Sequence, residues 1–374
     1  MAVVDADQHL FEYRTLWADH MDAGDRDDAL RIDDDDAGNA WLVWGGQRIV
    51  LADVTTPGDV DRVGRRLQRA LRGEPPEVRY DDELAPQHWD PDARASSLTG
   101  LRVDEAVVFP NYGLAWERTL ERDLAATTVN MSAWNRWCAE IAGRRLHPVA
   151  HLTLRDGDWL KAELRSLANA GVRLAMISPG LVDGRPLSHP DHDAIWAAFV
   201  EAGVTPAFHV ANVTRPFADA WFESDPEPTN PVLGSVFLWS GAALAIADLT
   251  LNGVFERHPD LRLGVFELSA VWLPLFLQYL DGGYRFHRKL HGASIVDLAL
   301  APSEYVKGHV RVAAFAYERP DMLVAGCGDM FMACSDYPHS EGTATPVADY
   351  AQADLTPENS PGLFAGNLNW LLRR

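Results

Sequence analysis

Eight short runs of β-forming apolar residues, joined from the second onward by helical apolar patterns, constrain this chain more than any other feature. The runs fall at 2–9, 105–110, 147–153, 172–178, 204–209, 262–267, 309–315 and 330–336. Apolar residues at helical spacing occupy 116–142, 158–170, 191–202, 240–257, 274–290 and 319–326. Strands that alternate with helices predict parallel pairing through crossover helices. Eight such units predict an α/β fold, the (β/α)8 TIM barrel. One barrel domain is expected over 1–374, with a large insertion at about 13–100 after the first strand.

The insertion breaks the rhythm with the acidic run Asp33-Asp34-Asp35-Asp36, the turn signal Trp44-Gly45-Gly46-Gln47 and the Pro-rich stretch Glu74-Pro75-Pro76. The acidic run lacks EF-hand spacing and is expected to be a solvated loop without chemistry. A second long connection, 211–234, is rich in proline and carries Trp221 and Phe222; following the fifth strand, it is expected to shape a substrate pocket over the barrel mouth.

Composition narrows the function classes. Hydrophobic content of 47% with 13 Trp and 14 Phe gives a chain able to bury a large core. The net charge is −21, and the lysines are Lys161, Lys289 and Lys307, which argues against a nucleic-acid surface. The opening Met1-Ala2-Val3-Val4-Asp5 lacks the basic and apolar regions of a signal peptide, and no uncharged apolar run reaches 18 residues, so neither export nor a membrane partner is expected. Cys138, Cys327 and Cys334 form no CxxC pair and suit a reducing compartment without a structural disulfide. A cytoplasmic protein is the expectation.

The polar residues that close the strands point to chemistry. Asp7 and His9 stand two apart on the first strand, so their side chains share a face and can reach one cation. His209 closes the fifth run, Glu267 the sixth and Asp336 the eighth. In a TIM barrel the C-terminal strand ends meet on one face, so residues far apart in sequence converge there. Imidazole with carboxylate suits zinc, manganese or iron.

With these residues in view, the sequence resembles the amidohydrolase superfamily, and within it the amidohydrolase-related, aminocarboxymuconate-semialdehyde decarboxylase-like family. The resemblance rests on the opening Asp-x-Asp-x-His-x-x-Glu, on Pro206-Ala207-Phe208-His209, on Phe255-Glu256-Arg257-His258-Pro259-Asp260-Leu261-Arg262 leading to Trp272-Leu273-Pro274, and on Ser335-Asp336-Tyr337-Pro338-His339. It implies that Asp7, His9, His209 and Asp336 hold one divalent metal, zinc foremost with manganese or iron as alternatives, and that Asp336 also handles a proton. The bridging lysine of two-metal members has no counterpart in Val172-Arg173-Leu174-Ala175-Met176-Ile177-Ser178. Glu267 stands where decarboxylases of the family carry a histidine, and it can accept a proton but donate one only if burial raises its pKa.

These readings imply a metal-dependent hydrolase of a small-molecule substrate, with Asp336 and Glu267 as its catalytic pair. The alternative is a nonoxidative decarboxylase, with Arg173, Arg215 or Arg285 available to a substrate carboxylate. A non-catalytic binding barrel is a third reading. His339, Tyr337, His151 and Ser178 are candidate substrate contacts, and Asn111 and Tyr112 close the second strand with the same ambiguity. Glu12 is divided between a structural ion pair and catalysis, His258 is expected to be structural, and Cys334 is expected to fill the barrel. A homodimer is implied by the resemblance alone.

Overall fold

The protein forms a parallel eight-stranded barrel, in a computed structural model that describes residues 2–210, 217, 221 and 231–374. The barrel strands are β1 (Val4–Leu10), β5 (Glu105–Pro110), β6 (Leu146–His151), β7 (Leu174–Met176), β8 (Thr205–Phe208), β9 (Leu263–Val265), β10 (Val310–Ala314) and β11 (Phe331–Ala333). Each strand pairs with the next in this order. The ring closes between first and last through a Gln8–Tyr337 bridge and through bonds from His9 N to Tyr337 O (2.8 Å) and from Asp336 N to Asp7 O (2.9 Å). Closure removes the two edges an open sheet would expose.

Side-chain alternation sorts each strand into an inner and an outer set. Val4, Ala6, Val107, Phe109, Val149, Leu174, Met176, Ala207, Phe266, Ala313, Met332 and Cys334 pack inside the barrel. Leu368, Leu371 and Leu372 from the C-terminal helix join them, and Thr205 donates to Leu371 O at 2.8 Å, so the last helix plugs the N-terminal end. Outward residues such as Val108, Ala150, Phe208, Val265, Val312 and Ala333 meet the surrounding helices.

Local signals set the helix ends. Leu124–Ile141 starts at Asp123, which accepts from Ala126 N, and Gly157–Ala170 starts at Asp156, which accepts from Trp159 N. The second helix stops at Gly171 with φ 83°, a conformation that glycine adopts without Cβ strain. The helical pattern read over 116–142 begins only at Leu124, and the one over 240–257 is split at Gly253. A further helix, Pro302–His309, precedes β10 outside the stretches of helical apolar spacing. The stretch Val232–Leu251 is long and apolar enough to cross a bilayer, but its Ala242, Ala245, Ile246 and Leu249 are buried in the core.

The insertion is ordered. Its strands β2 (Arg31–Asp34), β3 (Ala40–Trp44) and β4 (Gln47–Leu51) form an antiparallel sheet, followed by helix Val60–Leu71 and shorter helices to Ser97. The expected acidic loop is therefore corrected: Asp33 and Asp34 lie in β2, Asp34 pairs with Arg14 and Arg79, and Asp35 accepts from Asn39 N and Trp41 Nε1. Thr55 donates to Pro338 O (3.1 Å), Tyr112 to Asp53 O (2.6 Å) and Arg94 to Gln8 Oε1 (3.1 Å), so the insertion rests on the C-terminal rim of the barrel. The expected pocket loop at 211–234, Arg215 included, lies almost wholly outside the described residues.

Candidate metal centre

Asp7 and His9 reach the mouth because β1 is irregular. Val4 and Ala6 face the barrel interior, and strict alternation from Ala6 would send Asp7 outward. The β1–β5 register shifts between Asp5 and Gln8, and this bulge turns Asp7 and His9 inward. His209 needs no such device, since it follows Ala207 in phase. Glu267 does, because Phe266 already points inward; its φ of 49° turns the side chain back over the mouth. Asp336 also sits in the left-handed region, at φ 56°. Both catalytic candidates thus hold backbone conformations that non-glycine residues adopt at a cost, a pattern that clusters at functional sites.

The side chains converge. His9 Nε2 lies 3.2 Å from Asp336 Oδ1, 3.4 Å from Asp7 Oδ1 and 3.9 Å from Glu267 Oε2. His209 Nε2 lies 3.5 Å from Asp7 Oδ1 and 3.4 Å from Glu267 Oε2. One ligand atom from each of Asp7, His9, His209 and Glu267 falls within 4.8 Å of the others, and so does one from each of His9, Glu267, Asp336 and His339. Asp7, His9, His209 and Asp336 are buried.

Hydrogen bonding fixes how the rings are presented. His9 Nδ1 donates to Pro110 O at 2.8 Å and His209 Nδ1 to Val210 O at 3.0 Å, so both Nε2 lone pairs turn toward the carboxylates. Both Nε2 atoms, both Asp7 oxygens and Glu267 Oε2 find no hydrogen-bond partner. Buried nitrogen and carboxylate oxygen atoms without hydrogen-bond partners, facing one another at these distances, are a donor set suited to a divalent cation.

Burial and the facing Asp336 and Asp7 carboxylates hold the Glu267 carboxyl well above its ordinary pKa. Burial would also raise Asp336, but the His339 and His9 rings outweigh it and hold that group below the usual range. Asp7 is lowered in the same way, by His209 and His9 against burial. Burial works to lower His9, yet Asp336 and Asp7 carry it well above the ordinary imidazole value.

His339 stacks on His9 with centroids 3.9 Å apart, and its Nδ1 is 2.7 Å from Asp336 Oδ1. Its Nε2 meets Asn111 Oδ1 at 2.7 Å. Both ring nitrogens face oxygens. Tyr337 is half-buried under Arg94, whose guanidinium carbon is 4.9 Å from its ring centroid. His151, buried at the end of β6, places Nε2 3.1 Å from Glu117 Oε2, and Ser178 accepts from Gly180 N at 3.3 Å. These last three stand outside the ligand cluster.

Two of the proposed carboxylate partners lie elsewhere. Arg173 donates to Ala168 O at the N-terminal end of β7, and Arg285 is exposed on the outer helix Leu273–His291. His258 pairs with Asp193 at 3.0 Å, and Cys334 packs inside the barrel. Glu12 makes no ion pair among the described residues; it is buried and accepts from Asn111, Tyr112 and Gly113 N at 2.8–3.1 Å. Two further acids support the site. Asp5 accepts from Ser335 N (2.9 Å) and Oγ (2.5 Å), and Glu318 accepts from Ser269 Oγ (2.5 Å) and Ala270 N (3.0 Å), beside Glu267. Neither of these contacts carries a local signal, because Ser335, Ser269 and Ala270 lie 48 or more residues from the acid they bind.

Among solved structures the chain is similar to amidohydrolase map2389c from Mycobacterium avium subsp. paratuberculosis K-10, at 23% identity and TM-score 0.77 over 99% of both chains. It is also similar to 5-carboxyvanillate decarboxylase from Novosphingobium aromaticivorans DSM 12444, complexed with manganese and 4-hydroxy-3-methoxy-5-nitrobenzoic acid, at 18% identity and TM-score 0.65 over 100% of this chain and 96% of that one. Metarhizium anisopliae IDCase matches at 19% identity and TM-score 0.63 over 100% and 97%. No protein-family model and no curated protein sequence matches the chain. The likeness to these structures is one of fold.

Proposed function

We propose that this protein is a divalent-metal-dependent enzyme that hydrolyses a small organic substrate, with one metal held by Asp7, His9, His209 and Asp336 and with Glu267 beside it. The observation that carries the proposal is the group of buried, unpartnered carboxylate and Nε2 atoms facing one another at 3.2–3.9 Å. A divalent cation bound there supplies Lewis-acid polarisation of a carbonyl and a lowered pKa for water. Asp336 accepts a proton from the attacking water, and His339, with Nδ1 2.7 Å from Oδ1, positions that carboxylate. Glu267 orients the water or the substrate. Strand β7 offers no lysine to bridge a second ion, which supports one metal. Manganese in the 5-carboxyvanillate decarboxylase makes manganese, with zinc and iron, the ions to test.

A second reading, nonoxidative decarboxylation of a small carboxylate, is favoured by Glu267. A carboxyl kept protonated by burial and by neighbouring carboxylates can deliver a proton to the carbon that loses carbon dioxide. The decarboxylases of the same fold support this reading as well.

Metal content by mass spectrometry, on protein purified without chelator, tests the first step. One equivalent is expected, lost in the Asp7→Ala/His209→Ala variant; no metal in either protein would move the reading to a binding barrel. Esters, lactones and amides are then screened for hydrolysis and carboxylates for carbon dioxide release. Release abolished by Glu267→Gln with metal retained would establish the second reading over the first.

A further inference from the structure

Arg173 stands at the N-terminal end of β7, opposite the mouth, and faces a cavity of about 320 Å³. Gly143 and Gly171, just past the ends of two helices, form part of its wall, and His147, Arg373 and Arg374 complete its polar lining. The chain carries 54 acidic against 33 basic side chains, yet three of its arginines meet at this one hollow.

Most of that positive charge is uncommitted. Arg374 pairs with Glu105, whose Oε2 also lies 2.6 Å from His147 Nε2, so this carboxylate is spent on its two neighbours. Arg173 and Arg373 have no ion-pair partner among the described residues. Arg173 donates once, from Nη1 to Ala168 O (3.1 Å), and Arg373 once, from Nη2 to Asp260 O (3.0 Å). Each guanidinium has five N–H groups to place. Arg373 Nε is buried and finds no partner, a state that costs free energy unless an acceptor reaches it. Burial and the nearby charges of Arg262 and Arg173 hold the Arg373 guanidinium below its usual pKa, against the pull of Asp260.

Helix ends account for part of this arrangement. The carbonyl ends of Leu124–Ile141 and Gly157–Ala170 lie at this end of the barrel, and Arg173 caps the second. That role uses one N–H of Arg173 and none of Arg373. Arg373 is instead fixed by its own segment: it follows helix Asn367–Leu371, Leu371 and Leu372 are packed inside the barrel, and Thr205 Oγ1 holds Leu371 O at 2.8 Å. Two guanidinium forks on anchored backbone, around one hollow, match a tetrahedral oxyanion that accepts several charge-assisted bonds at once.

We propose that this cavity binds a phosphate-type oxyanion between Arg173 and Arg373, tying the start of β7 to the segment that plugs the barrel. Such an ion gives Arg373 Nε its acceptor and offsets the repulsion between the two arginines, so occupancy stabilises the fold. The site lies at the end of the barrel opposite the metal centre and does not depend on the reaction proposed there.

Isothermal titration and thermal melts of the full chain with inorganic phosphate, at fixed ionic strength, are expected to show saturable binding and a raised Tm. Asp7→Ala/His209→Ala should bind phosphate as the parent does, which separates the cavity from any ion held at the metal centre. Arg173→Gln/Arg373→Gln should weaken binding by about 10- to 100-fold, the loss expected for a hydrogen bond to a charged group. Phenylglyoxal labelling of the parent, mapped by peptide mass spectrometry, gives a readout free of any folding defect in a variant. Phosphate should protect Arg173 and Arg373 and leave Arg65, exposed on the insertion, unprotected. Glycerol 3-phosphate, titrated alongside, identifies the source: tighter binding than phosphate assigns the site to a phosphate monoester, and equal or weaker binding to the free ion. Absence of saturable phosphate binding, binding undiminished in the arginine variant, or labelling of Arg173 and Arg373 unchanged by phosphate overturns the proposal.

Discussion

At the scale of single residues, the site is built from atoms that the rest of the protein leaves to one another. Asp336 shows the principle: its neighbours His9 and His339 keep it ionised in a place where burial alone would neutralise it. Asp336→Asn keeps the shape and one oxygen but removes the base. Turnover should fall by about 10²–10⁴-fold, the usual contribution of a positioned acid–base group. Metal stoichiometry, read in parallel by mass spectrometry, should stay near the parent value, and unchanged turnover would remove Asp336 from the mechanism. Asp7 and His9 were legible from residue spacing alone, and His209 and Asp336 from their places at the ends of apolar runs.

At the scale of elements, loops hold the candidate ligands in place more than strands do. The carboxylate of Glu12 gathers three N–H groups of the turn after β5, the turn that presents Asn111 to His339 and follows the Pro110 carbonyl that orients His9. Glu12→Gln places an amide donor among donors, and urea unfolding should report a loss of about 1–3 kcal/mol. The loop after β11 is held by close approach: a Cβ at Gly342 would lie 2.4 Å from Asp336 O and 2.8 Å from Ser335 O. Those obstacles are backbone, so Gly342→Ala must displace Asp336. We expect weakened metal binding by isothermal titration with the fold retained, and parent-like affinity would show that the loop yields elsewhere. Neither support is visible in sequence, because a three-way backbone clasp and a Cβ-sized gap leave no periodicity.

At the scale of the whole molecule, a metal bound as proposed should contribute to stability, because the native chain gathers the candidate ligands and the unfolded chain does not. Manganese or zinc at a hundred times its Kd should stabilise folding by about 2.7 kcal/mol, visible as a raised Tm that chelator reverses. The pH dependence has a definite sign. In the metal-free protein His9 titrates well above its ordinary value, so its contribution is full at low pH and lost as pH rises through that elevated value. Metal must displace the same proton, so the metal-induced rise in Tm should grow with pH. Thermal melts at pH 6 and pH 8, with and without metal, check this; a shift that shrinks with pH would contradict the assignment of His9 as a ligand.

The sequence by itself determined the barrel, because eight apolar runs and the helices between them must bury their faces, and one closed parallel sheet satisfies all of them. It also determined where the candidate ligands gather, since the ends of parallel strands meet on one face. What only the tertiary structure decided is which way those ends point. The β1 bulge and the left-handed backbone at Glu267 each reverse the side-chain phase that simple alternation assigns. The ordered insertion against the rim, and the supports from Asp5, Glu12 and Glu318, likewise depend on contacts between distant segments. Local propensity reads neighbours in sequence, whereas a bulge, a strained φ and a buried acid are stabilised by whatever the fold packs against them.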